Sequence, residues 1–208
     1  MGRRSDHTRE ELRERILSAG EEIVSASGVG GLTARRLAEN IGYSVGTLYN
    51  FFEDLDDLIV HLNARTLDRM YNACARVARR QGPEEALRAY ARAYLRFTKD
   101  NEKSWAMLLD GSSHHHRVPP DWYRAKVDRL LGLVEAVLEP LVPNERDRKR
   151  SAHVLWASLH GISSLAAAGA VTENSPELVH DLISHYLSSL ARADSLPSSP
   201  ALKKSGVR

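Results

Sequence analysis

The chain has 208 residues, a formal net charge of +2, 42% hydrophobic residues and 27% charged residues. These proportions are typical of a globular protein and exclude a disordered chain, and the small net charge excludes a strongly basic tail for nucleic acid or membranes. The single cysteine, Cys74, cannot form an internal disulfide, and the polar N-terminus lacks the apolar segment of a signal peptide. We therefore expect a cytoplasmic protein in which any nucleic-acid function depends on a local motif.

The first predicted element is a helix with Leu12, Ile16 and Ile23 on one face. It stops at Gly28, which is expected to take the left-handed backbone conformation that ends helices. The "GVGG" at 28–31 resembles part of a phosphate-binding loop. It follows a helix rather than a strand and lacks the third glycine and the Lys-Ser/Thr pair, so we interpret it as a flexible corner.

Helical periodicity continues along the rest of the chain, and no alternation typical of strands is found. Helices are predicted over 33–40 and 44–50, from about Asp54, from Pro83, from Asp121 and over 145–170, and the segment 172–178 opens the last helix; a loop is predicted at 111–120. The pattern predicts an all-α fold of about nine helices. We expect a small N-terminal domain at 1–53, a larger helical domain at 54–193 and a disordered tail at 194–208.

One apolar stretch needs a separate interpretation. Residues 154–171 contain no Asp, Glu, Lys or Arg, and their length is at the lower limit for a membrane-spanning helix. They also contain serines, a histidine and glycines, so we predict a buried packing helix and no membrane association.

The segment "LTARRLAENIGYSVGTLYNFF" at 32–52 carries the clearest functional pattern. Leu37 and Ile41 lie four residues apart on a first short helix, Leu48 anchors a second, and Gly42 lies in the turn between them. A short fixed turn that holds two helices at a steep angle is the layout of a helix-turn-helix, whose second helix reads the major groove of DNA. The alternative is an ordinary corner between two helices of a helical domain.

Residues from Thr8 to about Leu62 resemble the DNA-binding domain of TetR-family transcriptional regulators. The residues that occupy the family's positions are Gly28, Leu32, Thr33, Leu37, Ala38, Gly42, Ser44, Thr47, Leu48, Tyr49, Phe52 and Leu58. In the C-terminal part, Trp156, His160 and Gly161 resemble the Trp-His-Gly subgroup of the family. The resemblance implies an N-terminal three-helix helix-turn-helix domain followed by a helical domain for ligand binding and dimerisation.

Carried over by position, the resemblance implies a set of DNA contacts. Phosphate contacts are implied for Thr33, Thr47 and Tyr49, base-edge contacts for Arg35, Val45, Gly46 and Asn50, and further DNA contacts for Arg36 and Ser44. The chemistry agrees for Arg35, because a guanidinium can pair with the O6 and N7 atoms of guanine. Asn50 has two open roles, pairing with adenine or bonding a phosphate. Tyr49 also has an alternative role as a core ring with its hydroxyl at the edge.

The sequence departs from the family pattern just after this motif. Leu55 stands where the family usually has a lysine, and four carboxylates surround it: Glu53, Asp54, Asp56 and Asp57. Carboxylates suit a helix start but repel phosphate. We therefore expect fewer phosphate contacts, a shallower dependence of DNA affinity on salt, and a role for the arginines Arg3, Arg4 and Arg9.

Two functions are expected of the C-terminal part. The helix at 151–171 and the last helix would form a four-helix bundle with a second copy, the alternative being that both are core helices. An effector pocket is expected around Tyr90, Tyr94, Phe97, Trp105, Trp122, Trp156 and His160. An aromatic stripe at helical spacing is also typical of a core, so that alternative stays open.

Three further features are interpreted conservatively. His114, His115 and His116 are adjacent in a loop, and no other ligands at metal-binding spacing support them, so we predict a solvated loop or a pocket lip and no metal. His160 is expected to be a hydrogen-bonded core histidine or an effector contact. Cys74 could sense oxidants, but no resolving cysteine exists.

The predicted function is a ligand-responsive repressor without a cofactor. It would bind double-stranded DNA at a palindromic operator as a homodimer and be released by a small, largely apolar effector whose identity the sequence does not specify. Alternatives are an activator of the same family and a helical protein-interaction adaptor. An enzyme is disfavoured because the sequence lacks a nucleophile elbow, a cofactor-binding glycine loop after a strand, and a carboxylate/histidine metal set.

Overall fold

A computed structural model describes residues 8–77, 82–109, 118–170 and 175–194. The helices are α1 (Arg9–Ser27), α2 (Ala34–Ile41), α3 (Val45–Leu48), α4 (Leu55–Ala75), α5 (Pro83–Asp100), α6 (Glu102–Leu109), α7 (Asp121–Leu138), α8 (Glu145–Ala167) and α9 (Ser175–Asp194). A single 3₁₀ turn, Val29–Gly31, follows α1. The described ranges contain nine α-helices and no strand, which confirms the predicted all-α fold. The expectations for Arg3, Arg4, the histidines at 114–116 and nearly all of the tail lie outside the described residues.

Local sequence determines both ends of α1. The Thr8 hydroxyl accepts a hydrogen bond from the Glu11 backbone N–H at 3.2 Å, and the Glu11 carboxylate accepts one from the Thr8 backbone N–H at 2.7 Å. This reciprocal capping box satisfies two backbone donors at the helix start. At the other end, Gly28 has the expected positive φ of 72°, but its ψ of −180° places it outside the left-handed helical region. That backbone conformation is nearly restricted to glycine.

The structure separates two helices that the sequence pattern did not. α5 begins at Pro83 as predicted, since proline suits the first helical position. It ends at Asp100 and is capped by Asn101, whose backbone leaves the helical region at φ −128° and ψ 37° and whose side-chain amide donates to the Phe97 carbonyl at 3.0 Å. α6 then starts at Glu102, and the break occurs without the glycine or proline that would mark it in the sequence.

The buried side chains form two hydrophobic cores. The first packs α1, α2, α3 and the first half of α4, and its most deeply buried members include Ile16, Leu37 and Leu62. The second packs the later part of α4 with α5, α7, α8 and α9, and it contains Met70 with no exposed surface. Because α4 contributes to both cores, the boundary placed at residues 53 and 54 stays a prediction.

The short helix α6 connects the two cores. Met107, 2% exposed, belongs to the first core, whereas Trp105, 6% exposed, belongs to the second. The Lys103 ammonium also donates to the Ala26 carbonyl in the last turn of α1 at 2.6 Å. A displacement of α6 would therefore be transmitted to α1.

Among the described residues, no helix has an apolar run long enough to cross a membrane. α8 instead contributes Ala152 and Leu155 to the second core. The predicted burial of the uncharged stretch is only partly met, because Leu155 and Ser163 are buried whereas Val154 and Leu165 are about half exposed.

Candidate DNA-binding surface and effector cavity

The turn between α2 and α3 is closed by backbone hydrogen bonds around Gly42. Gly42 adopts the left-handed conformation at φ 76° and ψ 31°. Its N–H donates to the Glu39 carbonyl at 3.2 Å, and the Tyr43 N–H donates to the Ala38 carbonyl at 3.0 Å, which together form a Schellman motif. No atom lies within 4 Å of the position that a Cβ would take at Gly42, so backbone strain alone explains the glycine.

The helix α3 is shorter than the predicted segment 44–50. Ser44 caps it as expected, with its hydroxyl accepting from the Thr47 N–H at 3.3 Å. Regular α-helix covers only Val45–Leu48, and the next turn continues through a bond from the Phe51 N–H to the Leu48 carbonyl at 3.0 Å. The helix ends early because Phe52, 3% exposed, turns into the first core before α4 begins.

Most side chains expected to contact DNA lie on the surface. The exposed members are Thr33, Arg35, Arg36, Ser44, Gly46, Tyr49 and Asn50. Tyr49 is 48% exposed, which contradicts its alternative role as a core ring. Val45 and Thr47 are only half-buried, and Val45 packs against the first core instead of projecting fully outward.

The two adjacent arginines of α2 have different surroundings. Arg35 is 87% exposed and pairs with Glu39 one turn later, with 2.9 Å between Nε and Oε1. Arg36 turns back toward the corner after α1 and donates to the Gly31 carbonyl and the Ser27 hydroxyl, both at 3.2 Å. The Arg36 guanidinium therefore stabilises the corner in this structure, so a DNA contact by Arg36 would require those bonds to break.

The N-terminal arginine Arg9 reaches the end of the α3 segment. Its guanidinium donates to the Asn50 carbonyl at 3.1 Å and lies 5.2 Å from the centroid of the Phe51 ring. A cation over an aromatic face is stabilising. Arg9 thus fixes the turn that follows the recognition helix and places a positive charge beside it.

The acidic stretch before α4 is part of the helix start. The Asp54 carboxylate accepts from the Asp57 N–H at 2.8 Å, and the Asp57 carboxylate accepts from the Glu53 N–H at 3.0 Å. Asp57 also faces His61, with 3.8 Å between Oδ1 and Nε2. Two of the four carboxylates therefore cap α4, which gives a structural reason for this departure from the family pattern.

An apolar cavity that opens to solvent lies within the second core. Its empty space, counted out to the open mouth, is about 650 Å³. The wall comes from α4, α5, α7, α8 and α9 and includes Cys74, Tyr90, Tyr94, Leu133, Trp156 and Ile183. Tyr90, Tyr94 and Trp156 were among the residues expected from the sequence. None of the lining side chains carries a charge.

Three other expected pocket residues lie behind or beside the wall. Phe97 and Trp105 are buried in the second core and do not line the cavity. The His160 ring lies between Trp156 and Trp105, with 5.5 Å between its centroid and each of theirs, and its Nδ1 is 2.9 Å from the Tyr94 hydroxyl. Burial lowers the pKa of His160, which favours a neutral imidazole. His160 is thus a partly buried, hydrogen-bonded histidine in contact with Tyr94 and Trp156 of the wall, and its role as an effector contact stays a prediction.

Trp122 lies away from the cavity, contrary to the expectation from the sequence. It is 40% exposed at the start of α7 and stacks on His61 of α4, with 4.8 Å between centroids and 13° between ring planes. His61 Nδ1 is also 3.1 Å from the Arg13 guanidinium of α1. Sequence reasoning missed this contact between three helices because no periodic signal relates residues so far apart in the chain.

Two further candidates for chemistry find no support in this structure. Burial raises the pKa of the Cys74 thiol to about 11, which disfavours the reactive thiolate at neutral pH, so oxidant sensing by Cys74 stays an untested hypothesis. Among the described residues, no group of three or more His, Cys, Asp or Glu side chains could hold a metal ion.

Two family models match the chain. Residues 16–62 match "Bacterial regulatory proteins, tetR family", and residues 87–190 match "Tetracyclin repressor-like, C-terminal domain". The second match covers half of the chain, and the first contains the helix-turn-helix described above. The chain therefore belongs to the TetR family of DNA-binding transcriptional regulators, a family of regulators rather than of enzymes.

Similar proteins agree with this assignment. An HTH-type transcriptional regulator of Mycobacterium tuberculosis is 25% identical over 139 residues, which are 64% of this chain and 57% of the relative, so the match leaves a large part of that relative uncovered. An HTH-type transcriptional regulator of Staphylococcus aureus is 34% identical over 58 residues, 28% of this chain and 31% of that relative.

Solved structures share the fold. A protein of unknown function from Rhodococcus sp. RHA1 has a TM-score of 0.73 at 23% identity, covering 91% of this chain and all of that one (100%). A TetR transcriptional regulator from Streptomyces coelicolor has a TM-score of 0.67 at 17% identity, covering 86% of this chain and 97% of that one.

Proposed function

We propose that this regulator is a repressor that binds a palindromic operator as a homodimer and is released by a small, largely apolar effector. The observation that carries the proposal is the uncharged, open-mouthed cavity in the second core, joined through α6 to the core that supports the helix-turn-helix. A cavity of this kind is the usual form of a small-molecule site. The cytoplasm is the compartment that this role requires.

The DNA contacts follow from exposure and chemistry. Arg35 and Asn50 are exposed hydrogen-bonding side chains at the two ends of the motif, and Gly46 leaves the start of α3 open to close approach. The first N–H groups of α3, beside Ser44, can meet a phosphate. We assign base-edge contacts to Arg35, Gly46 and Asn50, and phosphate contacts to Thr33, Thr47 and Tyr49.

A dimer is needed because one helix-turn-helix reads only a few base pairs. The outer face of α8 carries Val154 and Leu165, which are 49% and 50% exposed. Between them lie Ser158 and Gly161, both partly exposed, and such small side chains allow close approach of a second helix. We therefore assign the dimer contact to α8 together with α9, which would form a four-helix bundle with the second subunit.

The coupling between effector and DNA is assigned to α6. Tyr94 lines the cavity and its ring meets Trp105 of α6 edge-on, with 5.3 Å between centroids. Trp105 and Met107 lie on opposite sides of the junction between the two cores. An effector that displaces Tyr94 would shift α6 and α1, and the two recognition helices would leave the spacing of about 34–36 Å that one turn of DNA requires.

Fluorescence anisotropy with the DNA upstream of the protein's own gene tests the proposal. We expect sequence-selective binding that weakens with salt, a dimer in light scattering, and release of this DNA by an apolar compound that binds the cavity. A scrambled duplex of equal length is the control. Equal binding to both duplexes at every salt concentration would contradict the operator proposal, and retention of DNA at saturating effector would contradict the repressor mechanism.

The exposed stripe of α8 also supports an adaptor as a second candidate. In that case Val154 and Leu165 would contact a different protein instead of a second copy. A monomer at micromolar concentration in light scattering would favour the adaptor. An activator would share the dimer and the operator, and transcription in vitro distinguishes it from a repressor by the sign of the response.

A further inference from the structure

The wall of the cavity has a restricted chemistry that limits what can bind there. Apart from one cysteine, its lining side chains are aliphatic or aromatic, and two of the aromatic side chains are tyrosines that carry a hydroxyl group. Burial raises the pKa of the Cys74 thiol and of the Tyr94 hydroxyl, so both stay neutral at pH 7. A charged ligand would lose its hydration without gaining an opposite charge in the wall, which is strongly unfavourable.

One polar group of the wall has an unmet hydrogen-bonding requirement. Tyr90 is 5% exposed and lines the cavity, and its hydroxyl is buried without a partner among the described residues. The Tyr94 hydroxyl, by contrast, is already hydrogen-bonded to His160 at 2.9 Å. Buried hydroxyls nearly always have a partner, because leaving one unpaired is costly. The Tyr90 hydroxyl has almost no accessible surface, so a ligand oxygen can pair with it only where the side chains around it move aside.

We propose that the effector is an uncharged, mainly apolar molecule with one hydrogen-bonding oxygen, and that this oxygen pairs with the Tyr90 hydroxyl. The inference rests on the proposed effector role of the cavity and adds its chemical selectivity. Apolar surface of the ligand is buried against side chains such as Leu133 and Ile183, and the single hydrogen bond fixes its orientation.

Three probes of similar size separate the features of this proposal. Butyrophenone carries a ketone oxygen, butylbenzene replaces that carbonyl by a methylene group, and 4-phenylbutanoate carries a carboxylate. Each is titrated into the full chain without DNA, with binding followed by calorimetry and by intrinsic tryptophan fluorescence. Tyr90→Phe removes only the hydroxyl, and Tyr71→Phe is the matched control because Tyr71 lies under the Arg129 guanidinium outside the cavity wall.

We expect butyrophenone to bind Tyr90→Phe roughly 5- to 10-fold more weakly than the unmodified chain, as one neutral hydrogen bond implies. Butylbenzene should bind Tyr90→Phe at least as well as the unmodified chain, because the variant no longer buries an unpaired hydroxyl. Both neutral probes should bind Tyr71→Phe unchanged. The carboxylate should bind at least about 100-fold more weakly than the ketone.

The proposal is overturned if the ketone binds Tyr90→Phe and the unmodified chain equally, if the carboxylate binds as well as the ketone, or if neither neutral probe binds. These binding measurements do not involve DNA, so they separate the selectivity proposed here from the repressor mechanism. If the ketone binds through Tyr90 but the protein stays bound to its operator, the repressor mechanism is overturned and the selectivity is supported. If a charged compound bound in the cavity releases the operator, the repressor mechanism is supported and the selectivity is overturned.

Discussion

The Tyr94 hydroxyl and the His160 imidazole join α5 to α8 through a hydrogen bond of 2.9 Å directly behind the cavity wall. Tyr94 faces the cavity, and His160 stacks on Trp156, which also faces it. The pair thus connects two sides of the wall to each other and, through Trp105, to α6. Its stability and its protonation state should both affect the second core.

Acidification should destabilise the protein through His160. Burial holds the pKa of His160 below its ordinary value of 6.5, so the unfolded chain binds a proton more readily than the folded one. The stability that depends on neutral His160 is therefore fully present above pH 6.5, and the free energy of unfolding decreases as the pH falls toward the lowered pKa. We expect His160→Gln to reduce the decrease in the free energy of unfolding between pH 7 and pH 5.

Urea unfolding at several pH values measures this effect. His61→Gln is the matched control, because burial lowers the pKa of His61 as well, and this variant should remove only its own share of the pH dependence. An unchanged pH dependence in His160→Gln would show that the proton is taken up elsewhere.

Two glycines of the helix-turn-helix should respond differently to alanine. Gly42→Ala forces a side chain into the left-handed conformation and should lower the free energy of unfolding by about 1–2 kcal/mol. Gly46→Ala places the Cβ in an open position, with only the Ser44 hydroxyl at 3.7 Å, so stability should be maintained or increased. If α3 approaches DNA closely at Gly46, that variant should nevertheless lose DNA affinity.

Thermal unfolding and anisotropy on the same two variants measure stability and DNA binding independently. Equal stability losses in both variants would contradict the strain argument. Unchanged DNA affinity in Gly46→Ala would exclude close backbone approach at that position.

Arg35→Ala should change DNA specificity rather than protein stability. A bidentate contact to guanine is worth about 1–3 kcal/mol of discrimination, so affinity for the operator should fall by that amount and preference should relax at one base position. Arg36→Ala is the neighbouring comparison and should mainly lower the melting temperature, because Arg36 binds the corner at Gly31 and Ser27.

Anisotropy on a set of single-base operator variants, together with melting curves, separates the two arginines. If the affinity of Arg35→Ala falls equally for every sequence, Arg35 contacts a phosphate and the assignment to a base is wrong.

Two tryptophans should differ in their effect on ligand binding. Trp156→Leu removes an aromatic ring from the cavity wall and should weaken binding of butyrophenone about 10-fold, the effect of losing part of one buried aromatic contact. Trp122→Leu should leave that affinity unchanged, because Trp122 stacks on His61 outside the cavity. Calorimetry on both variants measures the difference, and a loss of affinity in Trp122→Leu would place the ligand elsewhere.

The local features of the DNA-binding surface were predictable because their partners are close in the chain. Ser44 caps α3 by bonding a residue three positions on, and Gly42 closes the turn with carbonyls of the preceding helix. Pro83 at the start of α5 was predictable for the same reason, because its effect is limited to the first turn of the helix. Such signals involve only neighbouring residues, so the sequence pattern contains all the information they need.

The side-chain contacts that the sequence did not predict join residues that are not neighbours in the chain. Trp122 stacks on a residue 61 positions earlier, and Arg36, whose predicted DNA contact stays a prediction, binds Ser27 nine residues back across a corner. The sequence marked Tyr90 and Phe97 alike as candidates for a pocket because both are aromatic. In the structure Tyr90 lines the cavity, whereas Phe97 lies in the core behind it. That distinction depends on which helices leave a gap, and no single helix encodes it.

By itself, the sequence determined the helical fold and the glycine turn at Gly42, because these depend on periodicity and on contacts within a few residues. The DNA-binding family was indicated by the resemblance of its motif residues to those of known members. Only the tertiary structure decided that α6 joins both cores, that the cavity wall is uncharged and that the Tyr90 hydroxyl is buried without a described partner. The physical reason is that burial and hydrogen-bond partners are properties of packed helices, and packing brings together residues that the chain keeps far apart.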